Sequence, residues 1–201
     1  MSWAYWGKPL CGFGDRKGRL LILGLAPAAH GGNRTGRMFT GDGSAEFLMA
    51  ALHKFGFANQ PTSTSVEDGL RLKDAYMTAI VRCAPPNNKP TTKEIQTCKR
   101  YWTDELWFLP NIRIVLALGK VAFDTYVKYL RNRGVETKGF KFQHGALYRG
   151  PENYPALVAS YHPSRQNTQT GKLTRVMFDA VFEEIRQLLR SEFTQRLNVP
   201  A

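Results

Sequence analysis

The stretch LLILGLAPAAHGGNRTGRMFTGD, Leu20–Asp42, decides the fold of this 201-residue chain. Its opening run, Leu20-Leu21-Ile22-Leu23, is continuously apolar. It reads as a strand buried on both faces, the kind found in parallel sheets. From Gly24 to Asp42 the chain becomes polar and glycine-rich, which reads as a long loop able to turn tightly and to bring backbone close to a ligand. The same arrangement recurs later. The apolar run Ala156-Leu157-Val158-Ala159 leads into SYHPSRQN, Ser160–Asn167. In an open α/β sheet, ligands bind beyond the carboxyl ends of the strands. Two such loops at two such ends mark where chemistry is expected.

Working outward, the first strand spans Arg19–Leu25 and is preceded by Met1–Gly18, an aromatic and glycine-rich segment without period that reads as an irregular arm. Ala45–Phe55 carries apolar residues at helical spacing, with Gly56 as its stop. Pro61–Gly69 is loop, and Leu72–Val81 reads as a second strand. Prolines make Arg82–Thr92 non-helical. A helix follows from Thr92 through Leu106, then a third strand at Ile112–Leu118 and a helix at Lys120–Leu130. Arg131–Gly150 is basic and glycine-rich and reads as a loop or short hairpin. The fourth strand is Ala156–Tyr161, and Leu173–Leu197 is a C-terminal helix. Strands alternating with helices predict an α/β fold: a three-layer α/β/α sandwich around a short, mainly parallel four-stranded sheet. No repeat or linker divides the chain, so residues 1–201 are expected to form one domain.

Lys and Arg number 28 against 16 Asp and Glu, a formal charge of +12. Such an excess favours a polyanionic partner, nucleic acid being the commonest, although a basic enzyme with no such partner carries the same composition. No apolar run approaches the roughly 20 residues needed to span a bilayer, and no leader-type segment opens the chain. A soluble protein of the cytoplasm is expected, with no membrane partner. Three cysteines, Cys11, Cys83 and Cys98, do not make a secreted disulfide framework. Two nucleotide-cofactor motifs are absent. No GxGxxG opens a helix after the first strand, and Gly119-Lys120 lacks the earlier glycine of a P-loop.

A third block, Cys83-Ala84-Pro85-Pro86-Asn87-Asn88-Lys89-Pro90, follows the end of the second strand. Taken one at a time, the notable residues have ordinary explanations. Phe39 reads as core, Asp42 as a turn aspartate after Gly41, Asn88 as an asparagine in a proline-rich turn, and His162 as a structural histidine at a strand end.

Together, the blocks resemble the uracil-DNA glycosylase superfamily, and in detail its type-B branch, family five. The resemblance rests on Gly24-Leu25-Ala26-Pro27, His30-Gly31, Asn33-Arg34-Thr35-Gly36-Arg37 and Phe39-Thr40-Gly41-Asp42, then on the Asn-Lys block, then on His162-Pro163-Ser164. It covers about residues 3–190. Other branches place a water-activating acid or amide at the start of the first motif. The apolar Leu25-Ala26 here is similar to type B.

The resemblance implies excision of uracil from DNA by hydrolysis of the N-glycosidic bond, with hypoxanthine and xanthine as further substrates. It implies a double- or single-stranded DNA partner, a monomer, and a place at the nucleoid. Phe39 would be the face on which a flipped base stacks, beside the backbone of Gly24 and Ala26. Asn88, or its neighbour Asn87, would read the uracil edge, because an amide both donates and accepts. His162 would stabilise the departing base anion, with Asp42 and Asn33 beside the sugar and the water. Ser164 would bind phosphate, Arg34, Arg37 and Lys89 would bind DNA, and Arg165 and Gln166 would fill the gap left by the flipped nucleotide. No lysine stands where a Schiff base would form, so no lyase activity is expected. The resemblance further implies that Cys83 and Cys98 ligate a [4Fe–4S] cluster. The family's other two ligands come from an N-terminal Cys-x-x-Cys that this sequence does not show. Two readings compete with the enzyme: a nucleic-acid-binding module of the same fold without chemistry, and an unrelated nucleotide-binding α/β enzyme. Cleavage of uracil-containing DNA separates the first, and ATP binding without DNA affinity would favour the second.

Overall fold

A computed structural model describes residues 5–197, with side chains through residue 191. The first four residues of the arm and the last four of the chain lie outside it. In chain order the elements are β1 (Phe13–Gly14), β2 (Leu20–Gly24), α1 (Gly32–Thr35), α2 (Gly43–Lys54), β3 (Ala75–Ala79), a 3-10 turn at Pro86–Asn88, α3 (Thr92–Trp107), β4 (Ile114–Leu118), α4 (Lys120–Arg131), β5 (Leu147–Tyr148), β6 (Ala156–Ser160), α5 (Arg165–Gln169) and α6 (Arg175–Leu197).

The sheet runs β1-β3-β2-β4-β6-β5. Its four central strands are mutually parallel, and each is buried along its whole length. The expected four-stranded sheet is thus the centre of a six-stranded mixed one. The two added strands are antiparallel edges of two residues each, one from the N-terminal arm and one from the Arg131–Gly150 segment. Two residues are too few to leave a periodic signal, which is why both read as irregular.

Alternation along β2 separates the two faces. Leu20 and Ile22 point into a core with Phe47, Leu48 and Leu52 of α2 and Phe178, Phe182 and Ile185 of α6. Leu21 and Leu23 point into a second core with Trp102 of α3 and Phe123, Tyr126 and Leu130 of α4. These are the three layers. The central parallel pairing leaves four carboxyl strand ends on one edge, and the chemistry-bearing loops leave from there.

The second strand starts later than its apolar pattern suggests. Asp74 takes a left-handed conformation, φ +60, and its carboxylate accepts from the Arg19 amide and Nε, both at 3.0 Å. That exchange fixes the entrance of β3 against the entrance of β2, and only from Ala75 does the chain join the sheet. Two short helices fall inside segments read as loop, α1 in the first block and α5 after His162.

Candidate active site

The first loop leaves β2 at Gly24 and comes back over it. Phe39, held at φ +51, lies so close that a Cβ on Gly24 would stand 2.6 Å from Phe39 Cζ. Only glycine at the strand end leaves room for the ring there. Two arginines brace the loop from within. Arg34 donates through Nε to the His30 carbonyl at 2.9 Å and through Nη2 to the Gly41 carbonyl at 3.2 Å. Arg37 donates to Thr40 Oγ1 at 3.0 Å, to Ser63 Oγ at 2.9 Å and to Asp68 Oδ2 at 2.7 Å. The loop ends at Asp42, whose Oδ1 accepts the Ala45 amide at 2.9 Å and caps α2. Its Oδ2 is pressed against Gly31, where a Cβ would stand at 2.1 Å. The turn aspartate read from sequence is therefore a helix cap with one carboxylate oxygen left for other work.

The second loop leaves β6 at Ser160, whose carbonyl accepts the Gly119 amide at 2.8 Å. The His162 Cβ packs over Gly119, 3.4 Å from where a Cβ on that glycine would sit. Asn167 Nδ2 donates to the His162 carbonyl at 2.8 Å, and Ser164 Oγ accepts the Asn167 amide at 3.3 Å, capping α5. Burial pushes the His162 imidazole below its ordinary pKa, while the Asp42 carboxylate works in the opposite direction. The net effect keeps the ring neutral near pH 7, able to donate one N–H without carrying charge.

Ala26, Phe39, Asp42 and His162 line one small cavity of about 50 Å³, closed on its other sides by Pro27, Met38, Ser44 and Ala79. One aromatic face, one carboxylate and one imidazole converge there on apolar walls. A much larger cleft, about 460 Å³, opens between Arg113, Arg149 and Tyr154 at the amino-terminal ends of β4 and β6. None of the candidate residues reaches it.

Arg37 is only 6% exposed and is spent on its pair with Asp68. Its Nε and Nη2 are taken up by two hydroxyls and a carboxylate inside the protein, which is where the structure places this DNA-binding candidate. Arg34 is likewise engaged within the loop. Asn33 is partly buried beside the cavity without lining it, and its backbone accepts the Trp6 amide at 2.8 Å. Asn87 and Asn88 sit exposed on the 3-10 turn, at φ +54 and +55, with Lys89 exposed beside them. Arg165 and Gln166 are exposed on α5, and the Arg165 side chain runs along Gly43, 3.0 Å from where a Cβ would sit. Two participants were missed from sequence. Asn167 bears a cue, because Ser164 three residues earlier is a standard capping residue. Ser44 has none beyond its place after Asp42.

Cys83 is exposed and Cys98 partly buried. Burial raises the Cys83 thiol pKa and the neighbouring Cys98 adds to it, so the two thiols stand near each other. Among the described residues no third Cys, His, Asp or Glu joins them in a metal-holding group. A [4Fe–4S] cluster takes four protein ligands. Two thiols do not fit it. No helix among the described residues is long and apolar enough to cross a membrane.

The uracil DNA glycosylase superfamily model matches residues 11–186, which include both loops and all four parallel strands. The chain is 49% identical to a type-5 uracil-DNA glycosylase of Thermus thermophilus over 184 residues, 92% of this chain and 82% of that protein. It is 46% identical to the type-5 enzyme of Pyrobaculum aerophilum, over 86% of this chain and 73% of that protein. Likeness to a type-4 enzyme of the same organism is lower, 28% over 76% of this chain and 70% of that protein. With the site's geometry and these matches together, the chain belongs to the uracil DNA glycosylase superfamily, in the company of its type-5 members.

Proposed function

We propose that this chain excises uracil from DNA, hydrolysing the bond between C1′ of the sugar and N1 of the base. The observation that carries this reading is the convergence of Phe39, Asp42 and His162 on one cavity at the carboxyl ends of β2 and β6. A base inside a duplex is out of reach, so the nucleotide is flipped into the cavity. There the base stacks on Phe39. As the C1′–N1 bond breaks, its electron pair leaves with the uracil, and the neutral His162 donates an N–H to the developing oxyanion. A fixed donor of this kind contributes about 10²–10³-fold. The sugar becomes cationic at the same moment. The free oxygen of Asp42, held against Gly31, stabilises that charge and orients the water whose oxygen bonds to C1′. The water's proton neutralises the departing base. The product is an abasic site for base excision repair.

In this reading the exposed Asn87–Asn88 turn closes over the base edge once DNA is bound, with Asn88 supplying the paired donor and acceptor. Arg165 and Gln166 enter the gap in the duplex, and Ser164 and Lys89 contact phosphate. Apolar Ala26 in the cavity wall is compatible with other deaminated bases, hypoxanthine and xanthine among them. The protein acts as a monomer on DNA in the cytoplasm. The test is incubation with labelled duplex carrying one uracil opposite guanine, followed by alkali to nick abasic sites. Nicking at the uracil supports the enzyme. Tight binding to the same duplex with no nick supports a binding module that keeps the fold without the chemistry.

A further inference from the structure

The Arg131–Gly150 segment brings Phe142 and His144 to the loop that carries His162, the Phe142 ring 6.0 Å from that of Tyr161. The His144 ring stacks on Tyr161, with centroids 5.0 Å apart and planes 15° from parallel. Its Nδ1 accepts the Tyr161 backbone N–H at 3.2 Å. Its Nε2 lies 3.2 Å from the Met177 carbonyl oxygen, in the first turn of α6. A peptide N–H only donates and a peptide carbonyl only accepts. The two partners therefore admit one form of the ring: neutral, with its hydrogen on Nε2.

We propose that His144 is a positioning residue for excision: its Nδ1 holds the Tyr161 amide while Asn167 holds the His162 carbonyl, so that the polar groups on both sides of His162 are fixed before the base departs. This inference rests on the glycosylase reading above. The Asn167 bond is 2.8 Å. Between them the two side chains anchor the turn to α6 and α5, and the His162 ring inherits its position from that turn. Oxyanion stabilisation depends on placement, and a shift of about 1 Å in a catalytic group can cost on the order of 10²-fold in rate.

Protonation would undo the arrangement. A hydrogen on Nδ1 would face the Tyr161 N–H, donor against donor. Ser160 Oγ, 3.4 Å from Nδ1, donates to the Tyr161 carbonyl at 2.9 Å and does not replace the lost acceptor. The charged groups around the ring are Glu184, which lines the same depression from α6, and Lys172, whose ammonium lies 5.1 Å from the Tyr161 ring centre. The Tyr161 phenol, on the ring stacked against His144, is a further titratable neighbour. Burial lowers the His144 pKa, with the Met177 bond acting the other way, so the accepting form prevails at neutral pH.

The test compares wild type, His144→Asn and His144→Leu in single-turnover cleavage of uracil duplex from about pH 5 to 8, a span that brackets imidazole titration. Asparagine keeps an acceptor near the Nδ1 position and does not titrate. Leucine removes the acceptor. We expect leucine to lower the cleavage rate about ten- to hundredfold with DNA affinity unchanged. Asparagine should recover most of that rate and lose the part of the acid-side fall that His144 contributes. An asparagine variant no faster than the leucine variant, or a leucine variant at wild-type rate, overturns the proposal. Nitrogen-15 NMR of the wild-type ring gives a readout that needs no substrate: the Nε2–H tautomer is expected, and Nδ1–H overturns the proposal even where leucine fails to fold. Wild type that leaves uracil-DNA uncut while showing the Nε2–H tautomer overturns the glycosylase reading instead, so the two failures are distinguishable.

Discussion

Phe39 lies against the backbone of Gly24, its Cζ 2.6 Å from the position a Cβ would take. Gly24 is the last residue of β2 and pairs with Ala79 of β3. The ring at the far end of a long loop is thus referenced to the middle of the parallel sheet. The stacking role proposed for Phe39 needs a ring that is held still, and this contact holds it.

Gly24→Ala tests that contact. The clash falls on the outer edge of a side chain, so the ring moves and the sheet does not. Melting temperature should stay within about 4 °C of wild type, which for a chain of this size corresponds to roughly 1 kcal/mol. The rate of uracil release should fall about tenfold or more, because base stacking on an aromatic ring is worth about 1–3 kcal/mol. Phe39→Leu should cost a similar factor. A Gly24→Ala enzyme that melts normally and cuts at wild-type rate would place the stacking face elsewhere.

His162 and Asp42 line the same cavity, and their charges are linked. His162→Ala should slow cleavage about 10²–10³-fold while DNA affinity holds. The pH dependence follows from signs. Burial lowers the His162 pKa and Asp42 opposes that fall. Activity of the neutral ring is complete above its depressed pKa and is lost as pH drops through it, below the ordinary value of about 6.5. Asp42→Asn removes the opposing charge, so the His162 pKa should drop further. NMR titration of the imidazole measures this without turnover. A pKa that rises in Asp42→Asn would mean that the carboxylate does not act on the ring.

Arg37 and Asp68 form a pair whose side chains are 7% and 9% exposed. Burial raises the Asp68 pKa, but the Arg37 guanidinium and the amides of Leu70, Thr64 and Ser65 outweigh it and hold the carboxyl well below the usual range. Its contribution to stability is present above the unfolded value near 3.8 and is lost as pH falls below it. Arg37→Met leaves the carboxylate without its guanidinium and should cost about 3–5 kcal/mol of unfolding free energy, read by urea denaturation. The variant that remains folded should bind DNA with the wild-type salt slope. A slope shallower by about 0.9 would place Arg37 on the DNA face.

The sequence made the central sheet legible because each inner strand is a short apolar run ended by a loop signal, as in Leu20–Gly24 and Ala156–Ser160. The family was legible in its loops, where Gly24, Phe39, Asp42 and His162 stand in a fixed order. What escaped was set by distant partners. The edge strands are defined by pairing, Phe13 opposite Met77 and Leu147 opposite Val158, with no period of their own. Arg37 looked like its neighbours in a basic loop until Asp68, thirty-one residues away, claimed it. His144 sits in a segment with no motif, and only the return of β6 and α6 gives its two nitrogens their partners. Composition gave the correct sign of the charge without distinguishing a buried arginine from an exposed one.

Arg165 is the exposed cation nearest in sequence to His162, and its guanidinium stem lies along Gly43, immediately after Asp42. It therefore spans from the second loop to the first at the rim of the cavity. Two roles are open to such a side chain, and they respond differently to the second strand of DNA. A wedge acts only where a flipped base leaves a hole in a stacked duplex, whereas a phosphate contact works on single strands as well, with a salt slope of roughly 0.7 per contact there and 0.9 on duplex. Arg165→Ala should therefore slow uracil excision from duplex several-fold more than excision from single-stranded DNA of the same sequence. Measuring both rates on one preparation cancels differences in active fraction. Equal slowing on both substrates, together with a shallower salt slope, would assign Arg165 to the backbone and leave the gap in the duplex to Gln166.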